Sequence, residues 1–273
     1  RNYLASLYNL TVVERVPDDL DGYAAVVTQD LPATQLGNES APQRSVIGIR
    51  GHSGAFAEYL TAPTGNLHLV PEGLSDREAV FAEPLAAALE ISQQIHIKST
   101  DRVAVLGDGK LGLLTALALR VFSPHLVLIG KHPRKLELAA AQGISTHLIE
   151  SGPNAIAKAG PGPFDILVEA TGNPQGIDSA LDYVRPEGTI AIKTTSHART
   201  ELDLARITVN EISMLGSRCG DLDLALSFLE RKHLDVHPLI EAIYPYADFQ
   251  DAFDLAGTKG SKKVLIDLQS SIP

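Results

Sequence analysis

Cysteine, long apolar runs and positive charge are all scarce in this sequence. Cys219 is the only cysteine among 273 residues, which excludes an internal disulfide framework and any zinc site built from several thiolates. No apolar run reaches the roughly 20 residues of a membrane-spanning helix, and no signal peptide is visible. We therefore expect a cytoplasmic protein from a reducing compartment, with no membrane partner.

Acidic residues outnumber basic ones. The chain has 33 Asp and Glu against 23 Lys and Arg, so its formal net charge is −10 at pH 7. A chain of this sign does not attract the phosphate backbone of nucleic acids through its overall field, and we expect no nucleic-acid partner. Hydrophobic residues make up 44% of the chain, which is ordinary for a globular protein with one large or two modest domains.

The first 70 residues carry short strand-like segments separated by turn residues. The predicted strands are 10–16, 23–28, 46–49, 55–62 and 67–70. Residues 30–45 lose this periodicity and predict a loop, and the short strands together predict a small β barrel or half-barrel. Ser75, followed three residues later by Glu78, predicts a capping box at the start of a helical region over 75–97, which Pro84 divides.

Strands and helices alternate from residue 102 onward. The predicted order is strand 102–107, helix 110–122, strand 125–130, helix 133–142, strand 164–170, helix 174–184 and strand 188–193. Such alternation predicts an α/β fold with a doubly wound parallel sheet and helices on both of its faces. Towards the end of the chain, helices are predicted at 221–232 and 247–256, and a strand at 262–268.

Three spaced glycines follow the first of these strands. Gly107, Gly109 and Gly112 form the pattern G-x-G-x-x-G between an apolar strand and a helix. The first glycine permits a tight turn, the second lets a pyrophosphate approach the backbone, and the third lets the helix pack closely on the strand. The motif therefore predicts a dinucleotide site, and a tight turn that binds nothing is the alternative.

The second strand ends without the acidic residue that usually binds the ribose of NAD. Gly130 stands at that place and is followed by Lys131, His132, Arg134 and Lys135. A carboxylate would repel a 2′-phosphate, whereas a glycine leaves room for one and cations pair with it. The pattern favours NADP(H) over NAD(H). A solvated basic start to a helix is the alternative, although basic residues there oppose the helix dipole.

Seven segments, spread over nearly the whole chain, match a known family in order and spacing. They are "GAFAEYLTAP" at 54–63, "LHLVPEGLSDREAVFAEPLAAALE" at 67–90, "VAVLGDGKLG" at 103–112, "DILVEATGNPQG" at 165–176, "RPEGTIAIKTT" at 185–195, "LGSRCG" at 215–220 and "KKVLIDL" at 262–268. In these segments the chain resembles the medium-chain dehydrogenase/reductase superfamily, the zinc alcohol dehydrogenase-like group. The resemblance implies a Rossmann domain over 84–216, a reduced GroES-like β-rich domain formed by 1–83 and 217–273, and a homodimer.

The same resemblance implies a catalytic zinc, held by an early cysteine, a Gly-His-Glu motif and a later Cys or Glu. This chain has no cysteine before Cys219, no Gly-His-Glu motif and no four-cysteine structural zinc segment. Of the ligand set only Glu83 has a counterpart, and His52 and His68 are the nearest histidines. We therefore expect no bound metal. A zinc enzyme whose metal-binding segment is missing from this chain is the alternative.

Without a metal, another group must stabilise the reacting oxygen during hydride transfer. Glu83, kept protonated by burial, is one candidate, and capping of the following helix is its alternative role. Tyr59 and Lys193 are the other candidate donors, with packing and strand termination as their alternatives.

The resemblance also assigns cofactor contacts to particular positions. They are Lys110 and Leu111 for the pyrophosphate, Ala170, Thr171 and Gly172 for the nicotinamide ribose, Thr194 and Thr195 for the carboxamide, and Arg218 and Lys262 for the phosphates. Two functions then fit the chain. The first is a zinc-independent, NADP(H)-dependent oxidoreductase acting on a small carbonyl, alcohol or activated alkene. The second is a non-catalytic NADP(H)-binding sensor or degenerate dehydrogenase relative.

Overall fold

The described part of the chain consists of eight ranges. The computed structural model describes residues 13–15, 24–27, 46–47, 51–52, 54, 66–149, 162–196 and 198–267. The predicted strand at 55–62, the predicted loop at 30–45 and Tyr59 lie outside these ranges. Within them, no helix combines the length and the apolar character needed to cross a membrane.

The chain divides into two compact units, each made of two segments. The first unit comprises residues 1–86 and 219–233, and the second comprises 87–218 and 234–273. The domain boundaries that the sequence predicts, after residues 83 and 216, stay a prediction.

Short strands and helices make up the described part of the first unit. Its elements are β1 (Val13–Arg15), β2 (Ala24–Val27), β3 (Val46–Ile47), β4 (Gly51–His52), β5 (Leu67–Leu69), α1 (Asp76–Ala79), the start of α2 (Ala82–Gln94) and α7 (Leu222–Glu230). Strands β1, β2 and β5 form an antiparallel sheet, and β3 pairs with β4. Pro84 lies in the first turn of α2, where its missing N–H has no helical partner to lose.

Polar contacts join the two segments of the first unit. The Glu78 carboxylate accepts the backbone N–H of Ser75, as the capping box predicts. It also accepts the Ser75 hydroxyl and pairs with the ammonium of Lys232. Burial raises the pKa of Glu78, but the Lys232 and Ser75 donors outweigh it together and lower that pKa to about 2. A second pair joins His68 Nδ1 to Asp223 Oδ1 at 2.7 Å.

A six-stranded parallel sheet forms the centre of the second unit. Its strands are β6 (Val103–Leu106), β7 (Val127–Gly130), β8 (Ser145–Leu148), β9 (Phe164–Glu169), β10 (Val184–Ile192) and β11 (Ser213–Gly216). They lie in the order β11-β10-β9-β6-β7-β8. Counted from β6 and read from the β8 edge, this is the 3-2-1-4-5-6 order of the Rossmann fold. The predicted α/β class with a doubly wound sheet is confirmed.

The helices of this unit follow the strands in alternation. They are α3 (Lys110–Leu119), α4 (Pro133–Ala141), α5 (Gly176–Leu181), α6 (Leu204–Val209) and α8 (Phe249–Gly257). Every residue of α3 from Gly112 to Leu119 is buried, which explains why its sequence is apolar on all sides. Strand β13 (Lys263–Asp267) pairs in parallel with β12 (Ile240–Pro245).

The described strands that sequence reasoning missed are the two-residue strand β4 and the strands β8, β11 and β12. Strands β8 and β11 are the two edges of the large sheet, and most of their residues are exposed or half-buried. The central strand β6 is buried at all four positions. A strand buried on both faces reads as a continuous apolar run, whereas an edge strand does not, and this difference explains which strands were found.

Candidate functional site

The turn that contains Gly107, Gly109 and Gly112, called the glycine turn below, lies where the strand order of the large sheet reverses. Strand β6 pairs with β7 on one side and with β9 on the other, so the chain leaves β6 and β9 in opposite directions along the sheet. In open α/β sheets ligands bind at this point, outside the carboxyl ends of the strands. Gly107 directly follows β6 and Ala170 directly follows β9, which places both residues at that edge.

Backbone packing requires glycine at two of the three motif positions. Gly107 has φ +120°, and a Cβ atom there would lie 2.5 Å from the carbonyl oxygen of Ala170. A Cβ atom at Gly112 would overlap the carbonyl oxygen of Gly107. Gly109 differs, because a Cβ atom built on it meets no atom within 4 Å. The fold therefore does not need glycine at 109, and the open space there suits the close approach of a ligand.

Cations surround the start of the helix that follows the turn. Gly109 is the N-cap of α3, and Lys110 is its first residue. Burial, and then the nearby charge of Lys135, lower the pKa of the Lys110 ammonium, while Glu241 partly offsets them. The Lys110 ammonium, beside a helix N-terminus and near the charge of Lys135, forms a setting that a phosphate would stabilise.

A buried carboxylate, which the sequence did not reveal, lies at the end of β7. Asp108, between the first two glycines, is only 4% exposed. Its Oδ2 atom accepts the backbone N–H of Lys131 at 2.8 Å and that of His132 at 2.6 Å, and Oδ1 lies 2.8 Å from His132 Nδ1. A Cβ atom at Gly130 would lie 2.5 Å from Asp108 Oδ2. The space that Gly130 leaves is thus filled by a carboxylate from the glycine turn.

The basic residues after this strand reach solvent. Lys131 and Arg134 are exposed, and His132 and Lys135 are half-buried. His132 is the N-cap of α4, and Pro133 follows it at the first helical position. The four basic residues that the sequence analysis singled out therefore lie around the start of α4.

A buried carboxylate organises the turns after β9 and β10. Glu169 is 1% exposed, and its Oε1 atom accepts bonds from the N–H and hydroxyl of Thr171 and from the hydroxyl of Thr194. Thr194 Oγ1 in turn accepts the N–H of Gly172 at 2.9 Å. Thr171, Gly172 and Thr194, predicted independently as cofactor contacts, are held together by Glu169, which sequence reasoning missed although it lies in the quoted "VEATG" segment.

Three more predicted residues of the second unit have defined contacts. Lys193 is buried, and its Nζ atom donates to the carbonyl oxygen of Arg218 at 3.2 Å. Lys262 donates its backbone N–H to Glu241 and its ammonium to the carbonyl oxygen of Pro238. Glu241 also partly offsets the lowering of the Lys110 pKa. Arg218 and Thr195 are exposed, and Leu111 and Ala170 are half-buried.

The predicted catalytic and metal-binding residues of the first unit are only partly described. Glu83 is half-buried in the first turn of α2, and Tyr59 lies outside the described residues. His68 is paired with Asp223. Across the described ranges, no group of three or more His, Cys, Asp and Glu side chains is placed to hold a metal ion.

Comparison with known proteins agrees with these features. A family model described as zinc-binding dehydrogenase matches residues 111–231. An L-threonine 3-dehydrogenase from Vibrio parahaemolyticus is 28% identical over 233 residues, which cover 82% of this chain and 68% of that protein. The chain spans only 61% of the length of L-idonate 5-dehydrogenase from Escherichia coli, to which it is 27% identical over 76% of its own length.

Solved structures share the fold. An alcohol dehydrogenase from E. coli CFT073, complexed with NADH, has a TM-score of 0.82 and 21% identity over 94% of this chain and 82% of its own. A zinc-binding dehydrogenase from Sinorhizobium meliloti, bound to NADP, has a TM-score of 0.79 and 24% identity over 94% of this chain and 80% of its own. Motif order, strand order and sequence matches agree, and the chain is similar to zinc-binding dehydrogenases and shares their fold.

Proposed function

We propose that this chain is a zinc-independent, NADP(H)-dependent oxidoreductase that acts on a small carbonyl, alcohol or activated alkene. One observation carries the proposal. At the point where the strand order reverses, the fold requires glycine at 107 and 112 for its own packing but leaves open space at Gly109. That combination suits a pyrophosphate lying against the backbone.

The preference for NADP(H) is supported by the charges around the turn. The charge of Lys135 disfavours that of Lys110, and Lys131 and Arg134 are exposed beside the start of α4. A dianionic 2′-phosphate is the part of NADP(H) that such cations would favour. Solved neighbours include one bound to NADP and one complexed with NADH, so the choice between the two depends on this chain's own residues.

Zinc independence is supported by the composition of the chain. Cys219 is its only cysteine, and His68, one of the two histidines nearest the expected ligand positions, is paired with Asp223. A carboxylate and isolated histidines do not make a tetrahedral zinc site. The role of the metal would pass to a protein donor, for which Glu83, Tyr59 and Lys193 are the candidates.

When bound, the nicotinamide supplies the hydride acceptor or donor. The protein's part is to orient it and to stabilise charge on the substrate oxygen. Glu169 fixes Thr171 and Thr194 so that their turns present one surface, and Lys193 directly precedes Thr194 after the end of β10. A homodimer is part of the proposal, because β11 is a sheet edge and Val209, just before it, is 80% exposed.

Calorimetric titration with NADPH and NADH tests the proposed cofactor binding and the preference for NADP(H). Since the chain has no tryptophan, calorimetry is preferable to quenching of protein fluorescence. We expect NADPH to bind more tightly than NADH, and binding of neither would refute the proposal. The proposed zinc-independent activity is tested by measuring NADPH oxidation with a panel of small carbonyl compounds. The protein used should be shown by elemental analysis to lack zinc. Tight NADPH binding without turnover on any compound would identify the sensor instead.

A further inference from the structure

The Asp108 carboxylate occupies a position of special interest in the site. It lies at the carboxyl end of β7, where dinucleotide-binding folds recognise the adenosine ribose. Three donors converge on it, the N–H groups of Lys131 and His132 and the Nδ1 atom of His132. Two successive backbone N–H groups and a ring nitrogen, next to a helix start, are the donors that bind phosphate oxygens in proteins.

The contacts of Asp108 distinguish it from an acid that binds a ribose. A ribose-binding carboxylate must keep oxygen atoms free for the hydroxyls. Here Oδ2 already accepts two backbone N–H groups and Oδ1 is taken by His132, and the Asp108 side chain is only 5% exposed. Asp108 therefore acts on the ligand through its charge and through the donors it occupies, rather than by a direct bond to a 2′-hydroxyl.

We propose that Asp108 is a specificity-determining residue that restrains NADP(H) binding, because its carboxylate fills the anion position that a 2′-phosphate would otherwise take. This assignment rests on the proposed dinucleotide site. The cations Lys131, Arg134 and Lys135 attract the phosphate, while Asp108 repels it and withholds three donors. The difference in affinity between NADP(H) and NAD(H) is consequently smaller than the cations alone would give.

Two variants separate the charge of Asp108 from its occupation of the donors. Asp108→Asn removes the charge and keeps the volume, and Asp108→Ala also frees the donors and the space beside Gly130. We expect the NADPH dissociation constant to fall about tenfold in Asp108→Asn, which is about 1.4 kcal/mol, and at least as far in Asp108→Ala. The NADH dissociation constant should change by less than about threefold, since NADH carries no 2′-phosphate.

Asp235 offers a matched control. Its Oδ1 atom accepts the backbone N–H of His237 at 3.0 Å and lies 2.9 Å from His237 Nδ1, so it forms a comparable Asp–His pair outside the glycine turn. Asp235→Asn should leave both dissociation constants unchanged. Thermal unfolding of each variant shows whether it is folded, and Asp108→Asn, the conservative change, carries the test if Asp108→Ala unfolds.

Each outcome decides the proposal. If NADPH affinity is unchanged or falls in Asp108→Asn, or if both cofactors weaken equally, Asp108 only clamps the turn and the assignment is wrong. If the wild-type chain prefers NADH but the variants shift towards NADPH, the proposed cofactor preference fails and the role of Asp108 stands. If the wild-type chain binds neither dinucleotide, the proposed function and this assignment fail together.

Discussion

Replacing Gly109 with alanine should remove dinucleotide binding and leave the fold intact. Gly109 has φ −68° and ψ 179°, an extended conformation that alanine adopts without strain. Its added methyl group meets no protein atom within 4 Å. That methyl group would instead stand where a pyrophosphate must approach the backbone, so the substitution acts on the ligand and not on the packing of the chain.

Two opposing terms set the effect on stability. Alanine is a poorer N-cap than glycine by roughly 0.5–1 kcal/mol, whereas the smaller conformational freedom of alanine in the unfolded chain stabilises the fold by about 0.4–1 kcal/mol. We expect the free energy of unfolding to change by less than about 1 kcal/mol. Dinucleotide affinity should fall at least about a hundredfold, which corresponds to about 2.7 kcal/mol.

Calorimetric titration with NADPH and NADH, together with thermal unfolding followed by circular dichroism, measures both quantities. Gly73→Ala is the matched control, because a Cβ atom there also meets nothing within 4 Å and the residue lies outside the site. Gly112→Ala is the opposite case, since its Cβ would overlap the carbonyl oxygen of Gly107, and it should destabilise the fold by about 1–3 kcal/mol. If Gly109→Ala binds both dinucleotides as the wild type does, the reasoning about the glycine turn is refuted.

Two further predictions concern charged groups. Glu78 has a pKa lowered from 4.5 to about 2, so its stabilising effect is complete above pH 4.5 and is lost as the pH falls towards 2. Glu78→Gln should therefore lower the free energy of unfolding by about 1–2 kcal/mol at neutral pH, and denaturant titrations should show this difference disappearing in acid. The lowered pKa of Lys110 predicts that NADPH affinity falls as the pH rises towards that pKa. Lys110→Met should bind about tenfold more weakly at neutral pH and show a flatter pH dependence in calorimetry; an unchanged profile would mean that Lys110 does not contact the cofactor.

The central sheet could be predicted from sequence because its inner strands are buried on both faces. The segments that became β6, β7 and β9 are short apolar runs bounded by glycine or charged residues, and each run is long enough for one strand. The edge strands β8 and β11 have mostly exposed or half-buried residues, so no periodic signal marked them. Tertiary pairing, not local sequence, decides that such segments are strands.

The candidate site was predictable where backbone chemistry dictates the residue type. Glycine at 107 and 112 follows from contacts that no other residue tolerates, and such positions can be recognised by spacing alone. Asp108 and Glu169 could not be assigned in that way, because their roles depend on partners 23 to 25 residues further along the chain. Sequence spacing shows that a carboxylate is present, but only the folded chain shows which donors it meets.

One oxygen atom of Glu169 links the ends of two neighbouring strands. Thr171 and Thr194 both donate their hydroxyls to it. Replacing either threonine with an apolar residue would therefore remove one of the hydrogen bonds that the buried carboxylate accepts. A chimera that imports the loop after β9 from a relative would have to bring the loop after β10 as well. The two loops therefore form one hydrogen-bonded unit, and a loop exchange in this chain has to treat them as one.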